Sequence, residues 1–293
     1  MAWLQLHYPC EQSQVELIEE TLLALGAYSV SLTDAADEPL FEPPPGATPL
    51  WQQMVVTALF TADTDQDALL LQLAEQVGDL PQGLHLEPLE DKPWERAWMD
   101  DFHPMQFGQR LWIVPSWTEA PDPSAVNLRL DPGLAFGTGT HETTSLCLTW
   151  LEGLDLTGKT VLDFGCGSGV LAIAALLLGA KKVYACDIDP QALLATRENA
   201  KLNGVEQRLH CMQPEALPQQ QYQVVVANIL AEPLVELAPQ LLNYCQPNGV
   251  FGLSGILLDQ AQSVRHAYEA SATLKPDTHL GEWVLVQGQR KDT

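Results

Sequence analysis

Hydrophobic positions along this chain follow two rhythms, and the change falls near residue 90. In the first stretch, Trp3 to Tyr8 alternates apolar and polar residues, the period of a strand with one buried face. Gln12 to Leu25 carries Val15, Ile18, Leu22 and Leu25 on one helical stripe, and Gly26 ends it. Tyr28 to Thr33 and Met54 to Phe60 read as strands. Thr64 to Gly78 reads as a helix with Leu69, Leu70, Leu73 and Val77 inward, and Gly83 to Leu89 as a closing strand. Pro43-Pro44-Pro45-Gly46, inside 39–49, predicts a loop. The order β-α-β-β-α-β is that of a ferredoxin-like split motif. Residues 1–89 are therefore expected to form a small α+β domain. It carries no catalytic constellation and reads as a recognition or docking module.

The second rhythm starts after a charged segment. Residues 90–103, with Trp94 and Trp98 four apart on one face, read as a linker helix, or equally as a helix that caps a core. Phe107 to Pro115 looks like short β structure, and Leu146 to Leu154 like an apolar helix. From residue 158 the pattern alternates strand and helix, with strands at about 160–164, 182–187, 208–212, 223–227, 249–254, 273–279 and 282–289. Helical patterns at 170–178, 190–203, 231–244 and 258–270 alternate with them. Such alternation predicts a parallel, doubly wound α/β sheet. Only Gly281 and its neighbours separate the last two strands, so they make a hairpin and one strand runs antiparallel. Residues 104–293 are expected to form this second domain.

Composition narrows the function. The net charge is −24, which disfavours nucleic acid as a partner and suits a basic protein, or simply keeps the chain soluble. The six cysteines are scattered with no C-x-x-C pair, which argues against a disulfide framework or a zinc site and fits a reducing, cytoplasmic setting. No signal peptide is visible, and no apolar run is long enough to span a bilayer. A monomer is expected.

The candidate chemistry gathers at three places. Val161-Leu162-Asp163-Phe164 runs into Gly165-Cys166-Gly167-Ser168-Gly169 and then a buried helix, the strand, glycine turn and helix of a nucleotide-binding unit. Asp187 ends the next strand 22 positions after Gly165, where such folds hydrogen-bond a ribose. Gly-Leu-Ala-Phe-Gly-Thr-Gly-Thr-His at 133–141 suits a loop that folds over a ligand, or an ordinary connector, with Thr143 or Thr144 able to cap the helix after it. His141 is read either as a base or as a structural hydrogen-bonding group. Asn228 closes Val224-Val225-Val226-Ala227 at the mouth of the site, or caps the helix that follows.

These motifs, taken in order, resemble one branch of the S-adenosylmethionine-dependent methyltransferases: the PrmA family, which methylates large-subunit ribosomal protein L eleven. The glycine motif at 161–169, the 133–141 loop, Thr143-Thr144, Asn228-Ile229-Leu230-Ala231, Trp94/Trp98, Phe102-His103-Pro104 and Leu111 to Trp117 all match it. The resemblance implies a seven-stranded methyltransferase sheet with a C-terminal antiparallel hairpin. It implies S-adenosylmethionine held by Phe136, Thr143, Thr144, Gly165, Gly167, Asp187 and Asn228. Asn228 would lie beside the transferable methyl and the incoming amine, and the front domain would bind the ribosomal protein. Glu142 stands where the family usually has proline, which adds negative charge and leaves both threonines in place. Two other readings are a methyltransferase of another substrate class and a non-catalytic docking module. Amide and adenine methylases carry Asn-Pro-Pro-aromatic where this chain has Asn228-Ile229-Leu230-Ala231.

Overall fold

The structure is a computed structural model and describes residues 3–35, 51–89, 102–131 and 141–292. The loop expected at 39–49, nearly all of the linker helix expected at 90–103, and Phe136 lie outside the described residues. The chain divides into two compact units, Met1–Asp101 and Phe102–Thr293.

In the first unit, strands β1 (Trp3–Glu11), β2 (Ser29–Asp34), β3 (Gln53–Thr61) and β4 (His85–Leu89) form one sheet in the order β2-β3-β1-β4. Every neighbouring pair is antiparallel. Helices α1 (Val15–Ala24) and α2 (Gln66–Val77) cover one face. Strand alternation decides which side chains they meet. Leu4, Leu6, Tyr8, Val56, Ala58 and Phe60 pack on Ile18, Leu22, Leu69 and Leu73. Their neighbours, Gln5, His7, Thr57 and Glu87, fall on the opposite face because successive side chains point to opposite sides. The expected helix from Gln12 starts later. Gln12–Gln14 is a short 3₁₀ turn, closed by a capping box between Glu11 and Gln14.

The second unit opens with a three-stranded sheet, β5 (Met105–Phe107), β6 (Leu111–Val114) and β7 (Val126–Arg129). The first two lie where short β structure is expected. The third was not anticipated. It is four residues long, and its free side is met by a side chain: the Asn203 amide accepts from Arg129 N–H at 2.7 Å and donates to Arg129 C=O at 2.8 Å.

The large sheet contains β8 (Thr160–Phe164), β9 (Lys182–Cys186), β10 (Leu209–Met212), β11 (Tyr222–Asn228), β12 (Cys245–Leu257), β13 (Ala272–Leu274), β14 (Thr278–Leu280) and β15 (Trp283–Arg290). The order is β10-β9-β8-β11-β12-β15-β13, with β14 also on β15, so the described residues give eight strands where seven are expected. The first five are parallel, and β15 runs antiparallel to β12. Helices α3 (Glu142–Glu152), α4 (Val170–Leu177), α5 (Pro190–Leu202), α6 (Ala231–Glu236), α7 (Ala238–Tyr244) and α8 (Ala261–Glu269) complete the unit.

Both faces of this sheet are sealed. Val161, Val183, Val224 and Val226 pack with α3 and α4 on one side. Leu162, Phe164, Val225 and Ala227 pack with α6, α7 and α8 on the other. Strands buried on both faces read as unbroken apolar runs, as they do here.

Three expected elements differ in detail. The strand over 273–279 is two short strands, both antiparallel to β15 and interrupted at Lys275–Asp277. Pro276 has no N–H to give the ladder, so pairing stops there. The helix over 231–244 is two helices that meet at Leu237, because Pro239 lies in the first turn of α7 and cannot donate to the preceding turn. The strand over 249–254 runs from Cys245 to Leu257 and bends between Leu253 and Ile256, where Gly255 has φ 85°.

Candidate functional site

In the large sheet, β8 is flanked by β9 on one side and β11 on the other. The chain order reverses there, and ligands of open α/β sheets bind at such a point, outside the carboxyl ends of the strands. The end of β8 is built for close approach. Gly165 has φ 78°, and a Cβ placed on it would lie 2.3 Å from Ile229 Cγ2, at the end of β11. Both its backbone angle and its surroundings exclude a side chain. Gly167 and Gly169, at φ 53° and 79°, carry the chain round into α4.

This glycine turn is clamped from outside. Gly165 and Cys166 N–H both donate to Cys186 C=O, at 2.8 and 3.0 Å. Thr196 Oγ1 donates to Gly167 C=O at 2.9 Å, and Asn199 Nδ2 to Ser168 C=O at 2.9 Å. Asp187, just past β9, accepts from Gly167 N–H on Oδ2 at 2.9 Å and from Asp189 N–H on Oδ1 at 3.0 Å. Two amides therefore fix the carboxylate plane. Each oxygen keeps a further lone pair for a hydroxyl donor.

Beneath the turn lies Asp163, a fully buried carboxyl. Its Oδ2 accepts from Ala172 N–H, in the first turn of α4, at 3.0 Å, while Oδ1 meets no hydrogen-bond partner among the described residues. Burial pushes this carboxyl up to about 7, against the pull of the Ala172 amide. Burial also pushes the Cys166 thiol well up and the Cys186 thiol up to about 12, so both stay protonated and are poor nucleophiles. The motif at 161–169 contains Asp163 and Cys166, but spacing alone gave neither a role.

The other half of the rim comes from β11 and α3. Asn228 is half-buried at the end of β11, and its Nδ2 donates to Thr144 Oγ1 at 3.4 Å. Its Oδ1 is then the side-chain atom left to accept. Ile229 N–H donates to Ser254 C=O at 3.1 Å, which holds this strand end against β12. Thr143 and Thr144 are buried in the first turn of α3. Neither caps that helix. The cap is His141, whose Nδ1 accepts from Thr143 N–H at 3.3 Å and sits 2.8 Å from Thr143 Oγ1, with its ring edge-on to Trp283 at 4.9 Å. Nor does Asn228 cap a helix, since α6 begins after Leu230 with no side-chain cap. Glu142 opens α3, where a negative charge suits the helix N-terminus.

The structure thus brings together five of the seven residues expected at the site, Thr144, Gly165, Gly167, Asp187 and Asn228, while the Thr143 side chain meets His141. The arc runs from Asp187 through Gly167 and Gly165, across Ile229, to Asn228 and Thr144. Phe136 lies outside the described residues. No group of metal-ligating side chains is found at this rim among the described residues. A cavity of about 500 Å³ lies elsewhere, between α3 and β14–β15, lined by Trp150, Thr278 and His279 among others. None of the arc residues lines it. Volume alone does not move the site there, away from the switch point of the sheet.

A family model described as ribosomal protein L11 methyltransferase (PrmA) matches residues 2–291. The ribosomal protein L11 methyltransferase of Pseudomonas aeruginosa (strain LESB58) is 56% identical over 293 residues, 99% of each chain. That of Azotobacter vinelandii is 56% identical over 293 residues, 99% of this chain and 100% of the relative. Among solved structures, the ribosomal protein L11 methylase from Lactobacillus delbrueckii subsp. bulgaricus is 37% identical, with a TM-score of 0.60 over 65% of this chain and all of that one.

Proposed function

The chain belongs to the ribosomal protein L11 methyltransferase family, and from that premise we propose that it transfers methyl groups from S-adenosylmethionine to the α-amine and lysine ε-amines of that large-subunit ribosomal protein. The observation that carries this reading is the arc at the carboxyl rim. Fixed acceptors at Asp187 and bare backbone at Gly165 stand at one end, and the Asn228 amide stands at the other.

The residues fit such a cofactor. The side-chain-free surface at Gly165 admits a ligand against the backbone, and Asp187 keeps lone pairs for two ribose hydroxyls. Gly167, Thr143 and Thr144 would line its path, with Phe136 from the 133–141 loop. When bound, the cofactor supplies a sulfonium-activated methyl group, so the chain needs no strong nucleophile of its own.

The chain's task is to align an uncharged amine for in-line attack, which is mainly positioning. A lysine amine titrates near 10.4 and an α-amine near 8, so either must shed a proton first. Desolvation at the rim, next to a cation, disfavours the ammonium form. Asn228 Oδ1 would accept one amine N–H and orient the nitrogen lone pair. Thr144 holds the Asn228 amide from behind. His141 is engaged as a helix cap and hands no proton to the site in this account.

We read the first unit as a ferredoxin-like recognition module of 1–89, joined by a linker over 90–103 to a catalytic domain of 104–293. Its β-α-β-β-α-β order, with both helices on one face of the sheet, supports that reading. The strongly acidic chain suits a basic substrate, and its action in the cytoplasm would follow from a ribosomal target. Among the described residues no helix is long and apolar enough to cross a membrane.

The test is to incubate the protein with methyl-labelled cofactor and a ribosomal extract lacking this modification. Label on one large-subunit protein, located at amines by mass spectrometry, is the expected result. Label on RNA would favour another methyltransferase class, and no label at all a docking module.

A further inference from the structure

On the face of the small sheet opposite α1 and α2, His7 of β1 and His85 of β4 stand directly opposite each other in the ladder, and Glu87 lies two positions further along β4. We propose that His7, His85 and Glu87 form a binding site for a zinc ion, with three protein ligands and an open position toward solvent.

One ligand atom from each of the three residues lies within 4.8 Å of the others. His7 Nε2 and Glu87 Oε1 are 3.2 Å apart. Tetrahedral zinc with bonds of 2.0–2.2 Å needs its ligand atoms about 3.3 Å apart, so this pair already has the spacing. The third atom closes by small side-chain rotations on a solvent-facing sheet. The two imidazoles are stacked, with centroids 4.6 Å apart and planes at 15°. Their strand positions hold them as neighbours whether or not an ion is shared.

The outward-facing nitrogens are prepared by what the inner ones do. His85 Nδ1 lies 2.9 Å from Gly83 C=O. A carbonyl only accepts, so the proton sits on Nδ1 and Nε2 keeps its lone pair. His7 Nδ1 lies 3.1 Å from Thr57 Oγ1, on the neighbouring strand β3. Metal-ligating histidines are oriented in this way by a partner on the other ring nitrogen. The proton that His7 Nε2 shares with Glu87 is the one zinc would displace, and Thr57 is then placed to accept from Nδ1.

The donor set selects the ion. Two imidazoles and one carboxylate suit zinc and its neighbours, whereas magnesium and calcium take oxygen ligands. His85 and Glu87 are exposed, the latter with 57% of its side chain, while His7 is partly buried beside them. Cys10, on the same strand, packs with the core face and does not compete.

The site does not depend on the methyl-transfer reading. Tag-free, full-length protein is stripped with a chelator and titrated with Zn²⁺ against a chromophoric competitor. Co²⁺ in a parallel titration reports a tetrahedral visible spectrum. We expect one equivalent in the wild type. Zinc binding in His7→Ala and His85→Ala should weaken by more than the about 10- to 100-fold that losing an outer-shell partner costs. Glu87→Gln should weaken it less. Zn²⁺ should also raise the wild-type melting temperature while Mg²⁺ does not, a readout that needs no variant. Equal zinc affinity in the wild type and the His7→Ala/His85→Ala double variant would overturn the proposal. So would a wild type that binds no equivalent and melts unchanged with Zn²⁺.

Discussion

The two main sheets of this chain use their faces differently. The central strands of the large sheet are covered on both sides, and they are mostly apolar. Among the described residues of its unit, the small sheet is covered by helices on one side only, and its strands alternate. A sheet sealed on both faces can present polar groups only where its strands stop. Gly165, Asp187 and Asn228 are all found there. A sheet sealed on one face presents a plane of side chains, and Gln5, His7, Thr57 and Glu87 form one. The first geometry suits a small ligand held at a rim, and the second a broad partner or a surface ion.

The largest effect should separate the two faces of the small sheet. Leu73 is fully buried in α2 against the core face. Leu73→Ala should cost about 2–5 kcal/mol of stability, read from urea unfolding. A loss below the cost of a surface change would mean that the helices do not seal this face.

The next tests the large sheet, where Asp163 is a carboxyl inside a core. Its folded pKa, about 7, lies above the unfolded value of about 3.9. The folded chain therefore holds this proton more tightly. The resulting stability is full below about pH 4 and is lost as pH rises through about 7. Asp163→Asn abolishes the titration. Wild-type stability relative to that variant should fall by a few kcal/mol between those limits and stay level above them, read from melts across pH. A difference independent of pH would show that burial does not govern this carboxyl.

At the rim itself, Asn228→Ala should lower turnover about 100-fold, the scale of a lost positioning contact, with cofactor affinity changed much less. Steady-state kinetics and calorimetry together check this. Wild-type turnover would remove the orienting role. The smallest effect belongs to the face of the small sheet opposite its helices. Ser31 is exposed on β2, opposite Thr57, and Ser31→Ala should change stability by less than about 0.5 kcal/mol. A larger loss would mean that something does cover this face.

The contrast also explains how far the sequence could be read. Apolar runs such as Val161 to Phe164, ending in spaced glycines, carry their fold locally, so β8, the turn and α4 were legible, and the rim with them. Breaks were harder. Pro276 and Pro239 each sit inside a stretch that reads as one element, and the missing N–H interrupts strand or helix there. The His141 cap was hidden because a ring nitrogen does there what threonine oxygens do elsewhere. Asn203 against Arg129 and His7 against His85 are more than 70 positions apart, and only tertiary pairing joins them.

The central claim is that the carboxyl rim of the large sheet holds S-adenosylmethionine through Asp187. Calorimetric titration of the cofactor into wild type and Asp187→Ala tests it most directly. The account predicts one site in the wild type, weakened in the variant by about 1.5–3 kcal/mol, the worth of a charged hydrogen bond. No binding to the wild type, or equal affinity in the two proteins, would contradict it.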